Sequence, residues 1–256
     1  MSRSIPAWAI TLASIAVVLC AWVGVTEGGL VRDLFLPSPA DLWSGFLELI
    51  DEGYKGRPLL VHVGDSLFRV GAGFVTGVAA GTLLGLAMGY LPKLDALAAP
   101  FVEFLRPLPQ LAYLILLIIW LGIGETSKIT MLFLAALPVA AVAARDGVRN
   151  VPAERLRVAQ TLGASSWQVF RHVIIPSALP EILVGARLAA GIVYGTLIAA
   201  EIIAGSSGIG WMILDAGRFL RSDYVFVGII MLGLAGIAID RALLLIEKRA
   251  VHWAGR

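Results

Sequence analysis

The sequence holds one cysteine in 256 residues, Cys20, which lies inside the first apolar stretch, so neither a disulfide nor a thiolate metal site can form within the chain. Histidine is nearly as scarce. His62, His172 and His252 are scattered, and none has a neighbour that would complete a ligand set or a catalytic relay. No G-x-x-x-x-G-K-[ST] phosphate loop and no H-E-x-x-H pair occurs, so nucleotide hydrolysis, if needed, must come from another chain. Charge is low too: Asp, Glu, Lys and Arg make up 15% of the residues, against roughly 25% in a soluble domain. A net charge of +2, with no run of like charges, leaves no footprint for nucleic acid.

What is abundant is apolar surface. Hydrophobic residues make up 59% of the chain and the mean hydropathy is +0.87, the composition of an integral membrane protein. Six segments are long enough to cross roughly 30 Å of hydrocarbon: about 6–25, 66–91, 100–121, 127–145, 178–204 and 223–246. Lipid offers no partner to backbone groups, and nothing alternates as a barrel strand would, so an all-α bundle of six transmembrane helices is predicted. The first run, Ile5 to Val25 behind Arg3, is longer than the apolar region of a cleaved leader and no A-x-A site follows it, so it reads as a retained helix. The expected organisation is an N-terminal anchor with an outer loop (1–60), a core bundle (61–247) and a short tail (248–256).

Basic residues set the orientation. With the N-terminus inside, Arg145, Arg149, Arg155, Arg157 and Arg171 gather on the cytoplasmic side with Arg3, Lys248 and Arg249, while the outer side holds fewer, among them Arg32, Lys55, Arg69 and Lys128. Both termini are therefore expected in the cytoplasm. In the long outer loop, Ser38 or Asp41 can cap a short amphipathic helix carrying Leu42, Phe46 and Leu49, with Trp43 as an interfacial anchor; a plain connecting loop is the alternative.

Three spans carry unusual residues. In the second, Gly73, Gly77, Gly81, Gly85 and Gly89 recur every four residues, a stripe that lets another backbone approach closely, within the chain or in a dimer; the alternative is a groove lining a solute path. The third span contains Glu103, Arg106, Pro107 and Pro109. The two charges are spaced to pair on one helix face, as part of a gate or pathway or simply at the headgroups, and the prolines predict a kink or break. The fifth is dominated by small residues, which places it at the centre of the bundle, and is marked by Arg187, Tyr194, Thr196 and Glu201 as pathway candidates; pairing of Glu201 with a basic residue of a neighbouring helix is the alternative.

Between the fourth and fifth spans, "PAERLRVAQTL" reads as a helix begun at Pro152 and stopped by Gly163, and "SSWQVFRHV" as a second short helix capped by Ser165 or Ser166. Trp167 and Phe170 fall three apart on it. Such an apolar pair suits insertion into a groove of a partner protein, and equally a helix lying on lipid.

The stretch from Arg157 to Pro176 resembles the loop signature of inner-membrane permeases of binding-protein-dependent ABC importers: E-A-A, three residues, G, nine residues, I-x-L-P. Ala159 and Gly163 match it, Val173, Ile175 and Pro176 close it, and Arg157 and Val158 depart from it. The segments "FLPSP", "RPLPQLA", "WLGIGETSKI", "GASSWQVFRHVIIPSALPEIL", "AAEIIAGSSGIGWMI" and "SDYVFVGII" are similar to the sulfonate, taurine and nitrate branch of these permeases, most of all the taurine permeases. The resemblance implies a type I importer bundle in a bacterial inner membrane. It also implies that Ala159, Gly163, Ala164, Ser165, Trp167 and Phe170 form a coupling helix docking on an ATPase. The expected partners are a second copy of the chain, two ATPase subunits that hold ATP and Mg, a periplasmic binding protein and membrane lipid, with no cofactor on this chain. The solute expected is taurine or a small sulfonate; nitrate, other alkanesulfonates or a pyrimidine precursor are alternatives. The rival from another class is an ion-coupled secondary transporter using Glu103 or Glu201, although the halves 1–128 and 129–256 show no repeat.

Overall fold

A computed structural model describes residues 6–251; Arg3 and the tail from His252 to Arg256 lie outside the described residues. The elements in order are α1 (Ala7–Glu27), α2 (Pro39–Asp51), α3 (Leu59–Tyr90), α4 (Pro92–Leu105), α5 (Gln110–Leu121), α6 (Glu125–Arg149), α7 (Ala153–Thr161) and α8 (Ser166–Val169). A π-helical turn (Phe170–Ile174) joins α8 to α9 (Ile175–Ala204), and α10 (Ile209–Arg218) and α11 (Ser222–Ala250) follow. The only β pairing among the described residues is an isolated bridge between Tyr54 and Arg57.

Five helices are long and apolar enough to cross a membrane, and α4 with α5, bent by 101° at their break, makes a sixth. Pro107 and Pro109 lie in that break, where each removes a backbone donor and where Pro109 is the N-cap of α5. The broken span starts earlier than its hydropathy indicated, because Pro92 at the first turn of α4 begins a helix through the polar stretch that follows. Helix α10 was not anticipated; it lies between the last two spans, after a turn in which Gly208 has φ +108°.

The chain divides into two compact units. One contains the chain up to His62 and Met212–Met231; the other contains Val63–Trp211 and the stretch from Leu232. In the first unit, Ser38 Oγ accepts the Asp41 amide at 3.1 Å while the Asp41 carboxylate takes the Ser38 amide at 3.2 Å, a reciprocal cap that starts α2. Leu49 is buried and Trp43 stays exposed, so the helix turns one apolar face inward as its pattern required. Tyr54 Oη donates to Asp215 Oδ2 at 2.8 Å, and Lys55 Nζ lies 2.5 Å from the same oxygen. Arg221 reaches Glu48 at 2.8 Å and stacks over the Tyr224 ring.

In the second unit α6 packs along α9 and α5. The central cluster joins Val70, Leu132, Ala136, Ala189, Val193 and Leu197. The most buried span is α6 rather than α9, which keeps part of its small-residue face open: a Cβ at Gly191 or Gly195 would meet no atom within 4 Å. The five regularly spaced glycines of α3 are the seam with α6. A Cβ at Gly73, Gly77, Gly81, Gly85 or Gly89 would collide with the backbone or Cβ atoms of Leu132, Phe133, Leu137, Ala141 and Val148. Absence of side chains there brings the two backbones into contact, the source of helix association when lipid supplies no hydrophobic drive.

Candidate functional site: the double-capped turn and the buried charges

The turn after α7 is built from two interlocking caps. Gly163 has φ +80°, and its amide donates to the Gln160 carbonyl at 2.9 Å while the Ala164 amide donates to the Ala159 carbonyl at 3.1 Å. These two bonds close a Schellman motif, which a residue without Cβ allows at little cost. The next residue opens α8: the Ser165 amide donates to Gln168 Oε1 at 2.8 Å, and Ser165 Oγ faces the Gln168 amide at 3.4 Å. The two expected helices are thus present, but the second does not stand alone. It runs on through the π-helical turn into α9.

This geometry separates the two aromatic residues. Trp167 is 64% exposed and stacks on Phe170 at 5.8 Å between centroids, while Phe170 turns towards Tyr90 at 4.8 Å and joins the cluster of Val148, Val169 and Ile174. Phe170 therefore anchors the turn to the bundle. Leu162, unmarked in the sequence, is 82% exposed, because the left-handed glycine after it turns the chain away and leaves the last helical side chain outside. The signal that could have found it is its place just before Gly163. Val158, Leu162 and Ala159 line one side of an open groove of about 580 Å3, and Val173 and Pro176 line the other. Arg157, at the position where the loop signature carries Glu, is exposed.

A second cluster is buried. Arg69 of α3 places Nη1 2.6 Å from Glu201 Oε1 and Nε 2.6 Å from Glu125 Oε2, and also donates to the Ser207 carbonyl at 2.9 Å. Glu201 further accepts from Ser66 Oγ at 2.7 Å and from the Gly210 amide at 2.8 Å, and Lys128 Nζ reaches Glu125 at 3.0 Å. Both Glu201 oxygens thus have donors, the condition under which a buried charge tolerates a low dielectric. Glu201 stands as the partner of a neighbouring basic residue. Arg69 and Glu125 were missed because they lie far from Glu201 in the sequence.

The remaining candidates are dispersed. Glu103 bonds Arg145 of α6 at 3.0 Å rather than Arg106. Thr196 returns its hydroxyl to the Ile192 carbonyl at 2.7 Å and, with Gln110, Leu111, Met131, Gly191 and Gly195, lines a cavity of about 330 Å3 beside the start of α5. Arg187 pairs with Asp240 and Glu247 of α11, and Tyr194 Oη donates to the Leu232 carbonyl. The sequence pathway set therefore falls into three places: Glu103 and Arg106 near α6, Glu201 in the buried cluster, and Arg187, Tyr194 and Thr196 along α9. Among the described residues no group of three His, Cys, Asp or Glu side chains is placed to hold a metal ion.

Residues 77–252 match the family model described as binding-protein-dependent transport system inner membrane component. The chain belongs to this family. The permease is 39% identical to the taurine transport system permease protein TauC of Escherichia coli (strain K12), over 96% of this chain and 90% of that one. It is 34% identical to the putative aliphatic sulfonates transport permease protein SsuC of Bacillus subtilis (strain 168), over 93% and 85%. Its fold is similar to that of the inward-facing MetNI methionine ABC transporter, with a TM-score of 0.58, 21% identity, and coverage of 72% of this chain and 95% of the other. The permease is thus a multi-pass inner-membrane transport subunit, not an enzyme, of a class that works with an ATPase and a substrate-binding protein.

Proposed function

We propose that this permease forms the membrane path of an importer that carries taurine or a related small sulfonate inward. Two copies would face each other, two ATPase subunits holding ATP and Mg would dock inside, and a binding protein would deliver solute from the periplasm, with both termini of each copy in the cytoplasm. The observation that carries the reading is the double-capped turn from Ala159 to Gln168, which holds Leu162, at the edge of a largely apolar groove, and Trp167 exposed. A rigid apolar knob on a charged cytoplasmic surface suits a cleft in a soluble partner. Closure of the ATPase pair on ATP would draw the two turns together and shift the bundle between two packings. The relatives named for taurine and aliphatic sulfonates support the solute class.

The test is isotope uptake into proteoliposomes with the cognate ATPase, internal ATP and external binding protein. ATP-dependent taurine accumulation is expected. Its absence beside robust uptake of nitrate, another alkanesulfonate or a pyrimidine precursor would overturn the solute. Cysteine placed at Arg157 should react only from inside and cysteine at Glu52 only from outside, with Cys20 replaced; labelling of both from one side would overturn the topology.

A further inference from the structure

Helix α4 does not run beside its neighbours; it crosses them. Leu94, Ala98, Ala99 and Val102 pack against Leu84 and Met88 of α3 and against Ala141 and Val142 of α6, so more than two turns of α4 meet about one turn of each partner. Its two acids repeat the pattern. Asp95 and Glu103, about 12 Å apart along the helix axis at 1.5 Å per residue, both reach Arg145 of α6, at 3.7 and 3.0 Å, and Asp95 also reaches Arg149 at 2.6 Å. Helices lying side by side would set residues so far apart against different turns of the partner. The crossing falls near the ends of α3 and α6, at Tyr90 and Arg149, so it lies at the end of the bundle from which the double-capped turn projects. Helix α5 leaves α4 at 101° and runs along α6. Its 12 residues rise about 18 Å, against roughly 30 Å of hydrocarbon, which draws α4 into the boundary layer rather than leaving it in water.

Turned away from that crossing is a second apolar face. Leu97, Phe101 and Phe104, spaced i, i+4 and i+7, are 68%, 68% and 67% exposed. Lys93 stands one turn before Leu97 on the same stripe, and Arg106 follows Phe104; both are exposed, and neither has an acid partner among the described residues. The acids of α4 are thus spent on α6 while its bases are unspent. Helix stability does not account for Lys93, because a cation in the first turn opposes the helix dipole. Apolar side chains on a boundary helix belong among acyl chains, with long basic side chains reaching back to the phosphates. A two-fold contact with a second copy would instead gather unpaired bases from both chains into one interface.

We infer that α4 is an in-plane boundary helix that selects anionic phospholipid, with Leu97, Phe101 and Phe104 among the acyl chains of one leaflet and Lys93 and Arg106 each on a lipid phosphate. The inference is independent of the transported solute. It makes the elbow at Pro107 and Pro109 the point where the chain passes from the boundary into the hydrocarbon. Lipid held on α4 then bears on the start of α5 and on the cavity that Gln110 and Leu111 line there.

The experiment uses the purified permease–ATPase complex in phosphatidylcholine nanodiscs, with Leu97→Cys or Phe104→Cys in a Cys20→Ser background carrying a fluorophore that brominated lipids quench. Both labels are expected at the same depth to within about 3 Å, whereas a spanning helix would separate them by about 10 Å, seven residues at 1.5 Å each. Brominated phosphatidylglycerol should reach half-maximal quenching at a mole fraction about fivefold below that of brominated phosphatidylcholine, and Lys93→Gln combined with Arg106→Gln should remove that preference. Lys93→Arg combined with Arg106→Lys keeps both charges and should retain it, which separates loss of charge from damage to the fold. Labels shielded from both lipids would mean that protein covers the face, and would overturn the proposal. So would a depth difference near 10 Å, an equal response to the two lipids, or a preference that survives loss of both bases.

Discussion

Arg69 and Glu201 meet through a 2.6 Å ion pair with side-chain exposures of 1% and 0%, joining α3 to the end of α9 inside an otherwise apolar bundle. A pair so enclosed is costly to break from one side. Arg69→Met should lower the melting temperature of the complex sharply, at a cost of ~3–5 kcal/mol, because Glu201 is left buried without its cation, whereas Glu201→Leu should cost less, since Arg69 keeps Glu125. The double variant should recover a substantial part of the loss. Thermal unfolding in detergent reads this, and additive losses in the double variant would contradict the pairing.

The double-capped turn predicts a separation between assembly and folding. Leu162→Glu and Trp167→Glu should leave the permease in the membrane but release the ATPase on purification, since a charge forced into a dry cleft costs several kcal/mol. Phe170→Ala, by contrast, should lower the yield of folded permease, because that ring packs on Tyr90 within the bundle. Gly163→Val should do both, having no tolerated backbone at φ +80°. Co-purification of normal amounts of ATPase with both Glu variants would reject the docking surface.

Gly81→Leu should collapse the α3–α6 seam, as its Cβ already meets the Leu137 carbonyl and a longer side chain has no direction in which to relax. Leu83→Ala, at an exposed position of the same helix, should cost far less. The yield of monodisperse complex distinguishes them, and equal tolerance would place the stripe away from the seam.

Acid should loosen the unit that contains α2. The hydrogen bond from Arg221 holds the Glu48 carboxyl below its usual range, and Asp215, though burial pushes it up, is held below by Lys55 and Tyr54. Carboxyls with depressed folded values contribute stability that is present above about pH 4 and is lost as pH falls through the folded values. Hydrogen exchange of residues 44–54 and 215–221 should therefore rise below about pH 4. Glu48→Gln should remove part of that dependence, and a flat profile in the wild type would refute it.

What could be read in the sequence was local. Caps at Ser38 or Asp41 and at Ser165 or Ser166, and a stop at Gly163, each act over three to five residues; the structure caps with Ser38 and Ser165, adding the reciprocal bonds of Asp41 and Gln168. Pro107 and Pro109 likewise announced the break in the third span. The Glu103–Arg106 spacing misled, since the partner of Glu103 is Arg145, which lies 42 positions away. Arg69 could not be matched with Glu125 and Glu201 for the same reason. Pairings at separations of 56 and 132 depend on which helices adjoin, and the period of a single helix does not carry that. The inward turn of Phe170 needed knowledge of where the bundle lay relative to the short helix.

Because α8, the π-helical turn and α9 form one unbroken helical rod of 39 residues, the knob at Trp167 and the carboxylate of Glu201 are opposite ends of a single lever. At 1.5 Å per residue it is about 58 Å long, and no loop intervenes to absorb movement. A displacement of the Trp167 end would therefore reach the buried charges as a tilt or a slide of the rod. The wide π turn, set just before Pro176, is the one place along this shaft where helical geometry changes.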